Sequence, residues 1–209
     1  MESFVRLAGI AAPLLRINID TDQIIPAKYL IRESEDGIAE GLFGGWRYLQ
    51  GGKPNPDFIL NREPYARAEI LLADRNFGCG SSREGAPKAL RQYGFRAVIA
   101  PSFGGIFYNN SFRNGLLPVE LPIEEVRRIA TEVEESQGQG RVTVDLEAQT
   151  VTSPSGTVAR FRTPTLLREM LLKGQDEVAM TLSRTPQIAA FRERDRARRP
   201  WVYRPGLAT

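Results

Sequence analysis

The 209-residue sequence contains no histidine and one cysteine, Cys79. Without imidazole the chain lacks the commonest general base and the commonest metal ligand. A single thiol excludes an internal disulfide. It also excludes an iron–sulfur site built by this chain alone, which takes about three or four thiolates. Any catalysis must therefore use Ser, Cys, Asp, Glu, Lys, Tyr or Arg, or borrow groups from another chain. Long apolar runs are missing as well. The longest, Leu7–Leu15, carries Pro13 and falls well short of the ~20 residues that a bilayer-spanning helix needs. Glu2 and Arg6 cancel ahead of it and Arg16 follows at once, which makes a poor signal peptide. The chain reads as soluble and cytoplasmic, with no membrane partner.

Lysine is scarce: 24 of the 28 basic residues are Arg. Arg192, Arg194, Arg196, Arg198, Arg199 and Arg204 crowd the last 18 residues, beside only Glu193 and Asp195. The remainder holds 22 basic against 23 acidic residues, a net of −1. A basic tail suits nucleic acid, but the planar guanidinium equally suits a protein interface. We expect an interface or a solvated tail and no nucleic-acid partner.

Apolar residues at 42% and charged residues at 25% are ordinary for a globular domain. The length accommodates one domain, read as residues 1–191, with an arginine-rich tail at 192–209. Short apolar runs from Phe4 to Ile19 suit strands and end in an acidic turn, Asp20-Thr21-Asp22. Ser34–Pro56 is glycine-rich and poorly periodic, the pattern of a long functional or mobile loop. Glu69–Ala73, Phe95–Ala100 and Leu116–Leu121 read as buried strands. Helices fit between them, one stopped by Gly94 and one running from Phe103 to Arg113. Glu124–Ser136 reads as an amphipathic helix. Val142–Leu146, Thr150–Thr152 and Val158–Arg162 alternate around a Ser153-Pro154-Ser155-Gly156 turn. Pro164 and Pro186 each open a further helix. The expected class is α/β: a parallel or mixed sheet with flanking helices, plus a C-terminal β-hairpin and helices.

Chemistry concentrates in Asn76-Phe77-Gly78-Cys79-Gly80-Ser81-Ser82-Arg83-Glu84. A strand feeds this segment and a helix leaves it. Glycine lets backbone N–H groups approach a ligand closely, and a helix start attracts anions. Ser81 and Ser82 add hydroxyls, and Arg83 adds a guanidinium that can grip a carboxylate with two parallel hydrogen bonds. The sum is a carboxylate-binding turn with a hydroxyl beside it. A structural alternative stands next to it, because Ser81-x-x-Glu84 also fits a capping box. Pro87 moves the regular helix start toward Glu84 or Gly85. No Gly-Lys-Ser/Thr follows the glycines, which disfavours a phosphate cradle.

Asn76–Glu84, with Ala86-Pro87 and Tyr93-Gly94-Phe95 behind it, resembles the 3-isopropylmalate dehydratase small-subunit family, the swivelling domain of the aconitase superfamily. The resemblance spans at least residues 4–191. It includes Asp20-Thr21-Asp22-Gln23-Ile24-Ile25-Pro26, Ile99–Phe103, Ile106–Phe112, Asn114–Pro118, Val144–Glu147 and Asp176-Glu177-Val178. It implies an aconitase-like swivelling fold and half an enzyme. A large subunit carries a [4Fe–4S] cluster, and this chain, holding no cofactor itself, closes over it. In the family the residue matching Ser81 is the catalytic base, and those matching Ser82 and Arg83 hold the carboxylate of a substituted malate. The Asp-Thr-Asp loop lies near the site, and Lys28–Ser34 helps choose the substrate's side group. Arg32, within that stretch, either meets a second carboxylate or is solvated.

The sequence departs from the family's pattern at Gly85, where His is usual, at Lys88, and at Gly104-Gly105. The expected function is isomerisation of 2- and 3-isopropylmalate by dehydration and rehydration, in leucine biosynthesis. The alternatives are a related hydratase of another substituted malate or maleate, and a degenerate swivel domain without catalysis. Cys79 is either inert packing or a support for the turn. Asp20 and Asp22 are either turn formers bonding their own backbone or carboxylates placed for a metal. We expect Asp20, Thr21, Asp22, Cys79 and Glu84 to support the site from behind and none to ligate a metal. Trp46 and Tyr48 either cover substrate or anchor an interface, and the interface is the expected reading. The cysteine and histidine counts generate one prediction. Purified without a partner, the chain should be colourless and inactive, and iron–sulfur absorbance co-purifying in stoichiometric amount would contradict it.

Overall fold

The computed structural model describes residues 1–30, 37–81 and 84–203. The chain divides into two compact units, Met1–Gly174 and Gln175–Thr209. The boundary read from the arginine run, 191/192, falls instead within a helix of the second unit, Thr185–Arg198.

In the first unit β1 (Arg6–Gly9) and β2 (Ala11–Leu14) are separated by Ile10 alone. β3 (Ile70–Ala73), β4 (Ala97–Ala100) and β5 (Leu117–Glu120) coincide with the buried runs seen in the sequence. β6 (Val142–Asp145), β7 (Thr150–Thr152) and β8 (Val158–Arg160) follow. Two four-stranded sheets result, one in the order β2-β3-β4-β5 and one in the order β1-β6-β7-β8. The first is parallel throughout and the second antiparallel throughout. The expected hairpin is therefore one half of a separate sheet whose other edge is the N-terminal strand. Ile10 marks the switch between sheets, its carbonyl accepting from Glu69 N and Ile70 N at 3.0 and 3.1 Å.

Successive side chains of a strand point to opposite faces. Leu71 and Ala73 of β3 enter one core, and Ile70 and Leu72 enter the other. β4 divides the same way, with Val98 and Ala100 in the first core and Ala97 and Ile99 in the second. Burial on both faces is what reads in sequence as an unbroken apolar run. Each buried Leu, Ile or Val contributes about 1.5–3 kcal/mol. One-turn helices α1 (Thr21–Ile24) and α2 (Gly44–Arg47) precede β3. The crossovers are α3 (Gly85–Tyr93), stopped at Gly94 as expected, and α4 (Gly105–Arg113). α5 (Ile123–Glu135) buries Val126, Ile129, Ala130 and Val133, a single face at helical spacing. α6 (Thr165–Lys173) ends the unit.

The glycine-rich segment is more ordered than its composition suggests. Over its described part, from Gly37 onward, it is a chain of single turns pinned by buried Leu42, Phe43, Phe58 and Leu60. Trp46 stacks on Phe43 at 5.8 Å, and the Arg16 guanidinium lies over its ring at 4.5 Å. Trp46 thus packs against the core of its own chain and keeps part of its surface exposed. The sequence missed this because aromatics spaced irregularly along turns leave no periodic signal. The second unit holds α7 (Glu177–Leu182) and α8 (Thr185–Arg198), with proline in the first turn of α8. Among the described residues no helix is long and apolar enough to cross a membrane.

A polar staple joins α5 to the β7–β8 turn. Arg128 donates to Glu132 at 2.7 Å and to Ser153 Oγ at 3.2 Å, and Ser155 N donates to Glu132 at 2.9 Å. Desolvation pushes the Glu132 carboxyl up, but hydrogen bonds from Ser153, Ser155 and Arg128 outweigh it and hold the pKa at about 2, against an ordinary 4.5. A depressed carboxylate stabilises the fold above its unfolded pKa and loses that contribution as pH falls through the folded one. Glu132→Gln should therefore cost about 1–3 kcal/mol near neutrality. It should also flatten the loss of thermal stability between pH 4.5 and 2. Calorimetric melts across that range test both effects, and equally steep acid limbs in parent and variant would contradict the assignment.

Candidate active site

β2, β3 and β4 run parallel, and the segments leaving their C-terminal ends meet. Open α/β sheets bind ligands at this edge, where successive strand ends expose loops and helix starts. Beyond β3 the chain continues as Asn76–Ser81, flanked on both sides by isolated parallel bridges. Asp20 pairs with Cys79, and Phe77 with Phe103. Gly78 N donates to Ile19 O at 2.7 Å and Thr21 N to Cys79 O at 3.0 Å. On the far side Phe77 N donates to Ser102 O at 3.1 Å and Gly104 N to Phe77 O at 2.8 Å. The turn is thus laced into the sheet as a short central strand.

The Asp-Thr-Asp segment is more than the acidic turn expected from sequence. Asp20 caps α1 through a full capping box. Its carboxylate accepts from Gln23 N at 2.7 Å, and Gln23 Oε1 accepts from Asp20 N at 3.0 Å. Thr21 is buried at 3% exposure, and its hydroxyl donates to Ser81 O at 2.9 Å. Asp22 is exposed. Asp20 and Thr21 therefore support the turn mechanically, one by fixing α1 and one by gripping the backbone of Ser81. Ser81 is exposed and Cys79 half-buried. Helix α3 begins at Gly85 with Glu84 at its cap position and no side-chain cap bond. The capping-box reading of Ser81 and Glu84 is accordingly not realised, because the helix starts too late for Ser81 to reach its free N–H groups. Glu84 is exposed and pairs with Lys88 at 3.6 Å. Ser82, Arg83 and Arg32 lie outside the described residues. Among the described residues, no group of three or more His, Cys, Asp and Glu side chains stands close enough to hold a metal ion.

Sequence reading passed over Asn18 and took Asn76 only as the first residue of the turn segment. Asn18 and Asn76 both adopt positive φ, 56° and 61°, and Asn76 Nδ2 donates to Asn18 Oδ1 at 2.8 Å. Asn76 N also donates to Ser102 Oγ at 2.9 Å. This pair ties together the segments that lead into the Thr21 strap and the Ser81 turn. Asparagine tolerates the left-handed region better than most residues, so its presence just before each segment was the available signal.

The Aconitase C-terminal domain model matches residues 1–124, and the LeuD_N model matches residues 127–162. A 3-isopropylmalate dehydratase small subunit from Cupriavidus necator is 51% identical over 208 residues, covering 99% of this chain and 100% of that protein. The chain belongs to the 3-isopropylmalate dehydratase small-subunit family. A solved 3-isopropylmalate dehydratase from Methanocaldococcus jannaschii has the same fold, with a TM-score of 0.64 and 26% identity over 88% of this chain and 98% of that one.

Two departures from the family's pattern have local explanations. At Gly85 an added Cβ would lie 2.4 Å from Leu30 Cδ2, so Leu30 leans over the start of α3 and occupies the space a side chain would take. At Gly104 a Cβ would lie 2.4 Å from the carbonyl oxygen of Gly78, and only glycine lets the backbone beyond β4 approach the turn so closely.

The Thr21 strap is testable in enzyme reconstituted with a large subunit. Thr21→Val keeps the shape and removes the donor to Ser81 O. If Ser81 reacts, displacing it slightly costs rate more than affinity, and turnover should then fall about tenfold or more with little change in KM. Thr21→Ser restores the hydroxyl and should recover most of the rate. Parent-like turnover in the valine variant would show that the strap does not position Ser81.

Proposed function

We infer that this chain is the small subunit of a two-subunit hydro-lyase that interconverts 2-isopropylmalate and 3-isopropylmalate in leucine biosynthesis. The observation that carries this reading is the 51% identity to a 3-isopropylmalate dehydratase small subunit along 99% of the chain, a span that includes the glycine–serine–arginine turn. The enzyme acts in the cytoplasm, on a substrate with two carboxylates and a branched alkyl group.

The donor set of this chain does not fit an iron–sulfur cluster. It offers one thiol, Cys79, and no histidine. The family's [4Fe–4S] cluster accordingly belongs to the large subunit, and the work of this chain lies in proton transfer and substrate grip. Ser81 is the base. Its oxygen takes a proton from the carbon next to a carboxylate, and the C–H electron pair becomes the new carbon–carbon double bond as hydroxide leaves the neighbouring carbon. Rehydration with the opposite regiochemistry completes the isomerisation. A serine hydroxyl is too weak an acid to be ionised by itself, so the alkoxide needs adjacent positive charge and N–H donors. Arg83 supplies charge and, with Ser82, holds one carboxylate in a two-pronged grip. Arg32 is placed in the sequence to meet the other. The anchored carbonyl of Ser81 and the buried Thr21 beneath it give the base a fixed origin.

The test is Ser81→Ala in the reconstituted pair, at saturating substrate and equal cluster content. Removing a proton-transfer group typically costs ~10²–10⁴ in rate, so assembly and substrate affinity should persist while turnover collapses. Arg83→Lys keeps the charge but loses the bidentate grip, and KM should rise along with the loss of rate. A Ser81→Ala enzyme within about threefold of the parent would remove Ser81 from the chemistry, since a general base contributes far more than that.

A further inference from the structure

The second unit is built as though something else completes it. Of its described residues Met180 alone is buried. Val178, Leu182, Phe191, Trp201 and Val202 stand at 66%, 65%, 55%, 59% and 52% exposure. An isolated helix the length of α8 is marginal in water, and α8 buries none of its residues. Phe191, Arg194 and Arg198 share one face at helical spacing. With Asp195 and Ala197 they line a recess of about 500 Å³ that brings Phe191 together with two arginines. Asp195 is already engaged, accepting from Tyr203 at 2.9 Å and pairing with Arg199 at 2.6 Å. That engagement leaves the rim positive.

We propose that this face of α8 docks on the large subunit, receiving an apolar side chain flanked by carboxylates. The proposal rests on the small-subunit reading, which requires such a partner. Charge argues for it over the other occupants. Residues 175–209 carry seven arginines against four acids, a net of +3, whereas residues 1–174 balance at 21 and 21. A second copy would set +3 against +3, and the neutral remainder of the chain offers no surplus of carboxylates. Nucleic acid fits less well, because several arginines are already paired on the helix. Arg196 pairs with Glu193, Arg199 pairs with Asp195, and Arg194 donates to Ala190 O. Exposed aromatics set among arginines are the composition of a protein–protein hot spot.

The experiment uses full-length chain carrying Phe191→Ala, or Arg194→Glu with Arg198→Glu, and measures affinity for the purified large subunit at low and high salt. A control carries Arg160→Glu with Arg162→Glu on the first unit, which changes net charge equally at another exposed site. Phe191→Ala should weaken association about tenfold, the loss typical of a hot-spot truncation. The double reversal should weaken it further and reduce its salt dependence. The control should stay within about twofold, and turnover at saturating large subunit should be parent-like in all of them, because exposed rim charges act on association. All these positions are exposed, and circular dichroism should register no loss of fold. Parent-like affinity in both α8 variants would overturn the proposal. So would a parent chain that dimerises through this face, or whose α8 variants lose DNA or RNA binding instead. A parent that never binds the large subunit would overturn the small-subunit reading as well, which separates the two failures.

Discussion

The site depends on a short parallel pairing between Ile19–Thr21 and Gly78–Ser81. Two backbone bonds, Gly78 N to Ile19 O and Thr21 N to Cys79 O, carry β-type geometry past the end of the regular sheet. The Thr21 hydroxyl then adds a third bond, to Ser81 O. A turn of glycines and serines has little side-chain packing to hold it. Its shape is imposed from both flanks, by this strap on one side and by Phe77, Ser102 and Gly104 on the other. Glycine at 104 is what lets the second flank close. In the proposed role Ser81 must present its oxygen at a defined position, and backbone bonds supply that ordering.

The rest of the first unit keeps those flanks in register. Residues on both faces of β3 and β4 are buried, so slipping either strand by one residue would exchange the contents of two cores. The bridging arrangement of β1 and β2, with only Ile10 between them, couples the antiparallel sheet to the parallel one. A disturbance of the β6–β8 sheet would therefore be felt at the strand that leads to Asp20 and Thr21. The staple between α5 and the β7–β8 turn fixes that second sheet through Glu132, whose charge is stabilised by hydrogen bonds from three residues.

The division of labour within the enzyme follows from composition. A chain with one thiol and no imidazole can offer hydroxyl, carboxylate and guanidinium groups, which suit proton transfer and carboxylate binding. Such a chain cannot by itself supply the thiolates of an iron–sulfur cluster. The docking proposed for α8 gives physical sense to a second unit that, among its described residues, buries almost nothing of its own and presents arginine among exposed aromatics. Its sequence is costly as a free surface and sensible as half of an interface.

Sequence alone determined the buried β3–β5 strands of a parallel or mixed sheet, the helices between them, the amphipathic face of α5 and the chemistry gathered at residues 76–84. Each follows from local rules: continuous apolar runs, helical spacing, Gly94 and Pro186 as stop and start, and the chemistry of glycine, serine and arginine side by side. Motif-level resemblance then pointed to Ser81. Only the tertiary structure decided that β1 leaves for a different sheet, since its partner β6 lies far along the chain and pairing between distant segments has no local signature. Only it decided that Trp46 packs on Phe43 and the core, and that the capping box belongs to Asp20 and Gln23 rather than to Ser81 and Glu84. The outcome turns on where each helix begins. For α3 that is Gly85, as Pro87 in the first turn anticipated, whereas the packing of Leu30 over Gly85 joins segments more than fifty residues apart in the sequence.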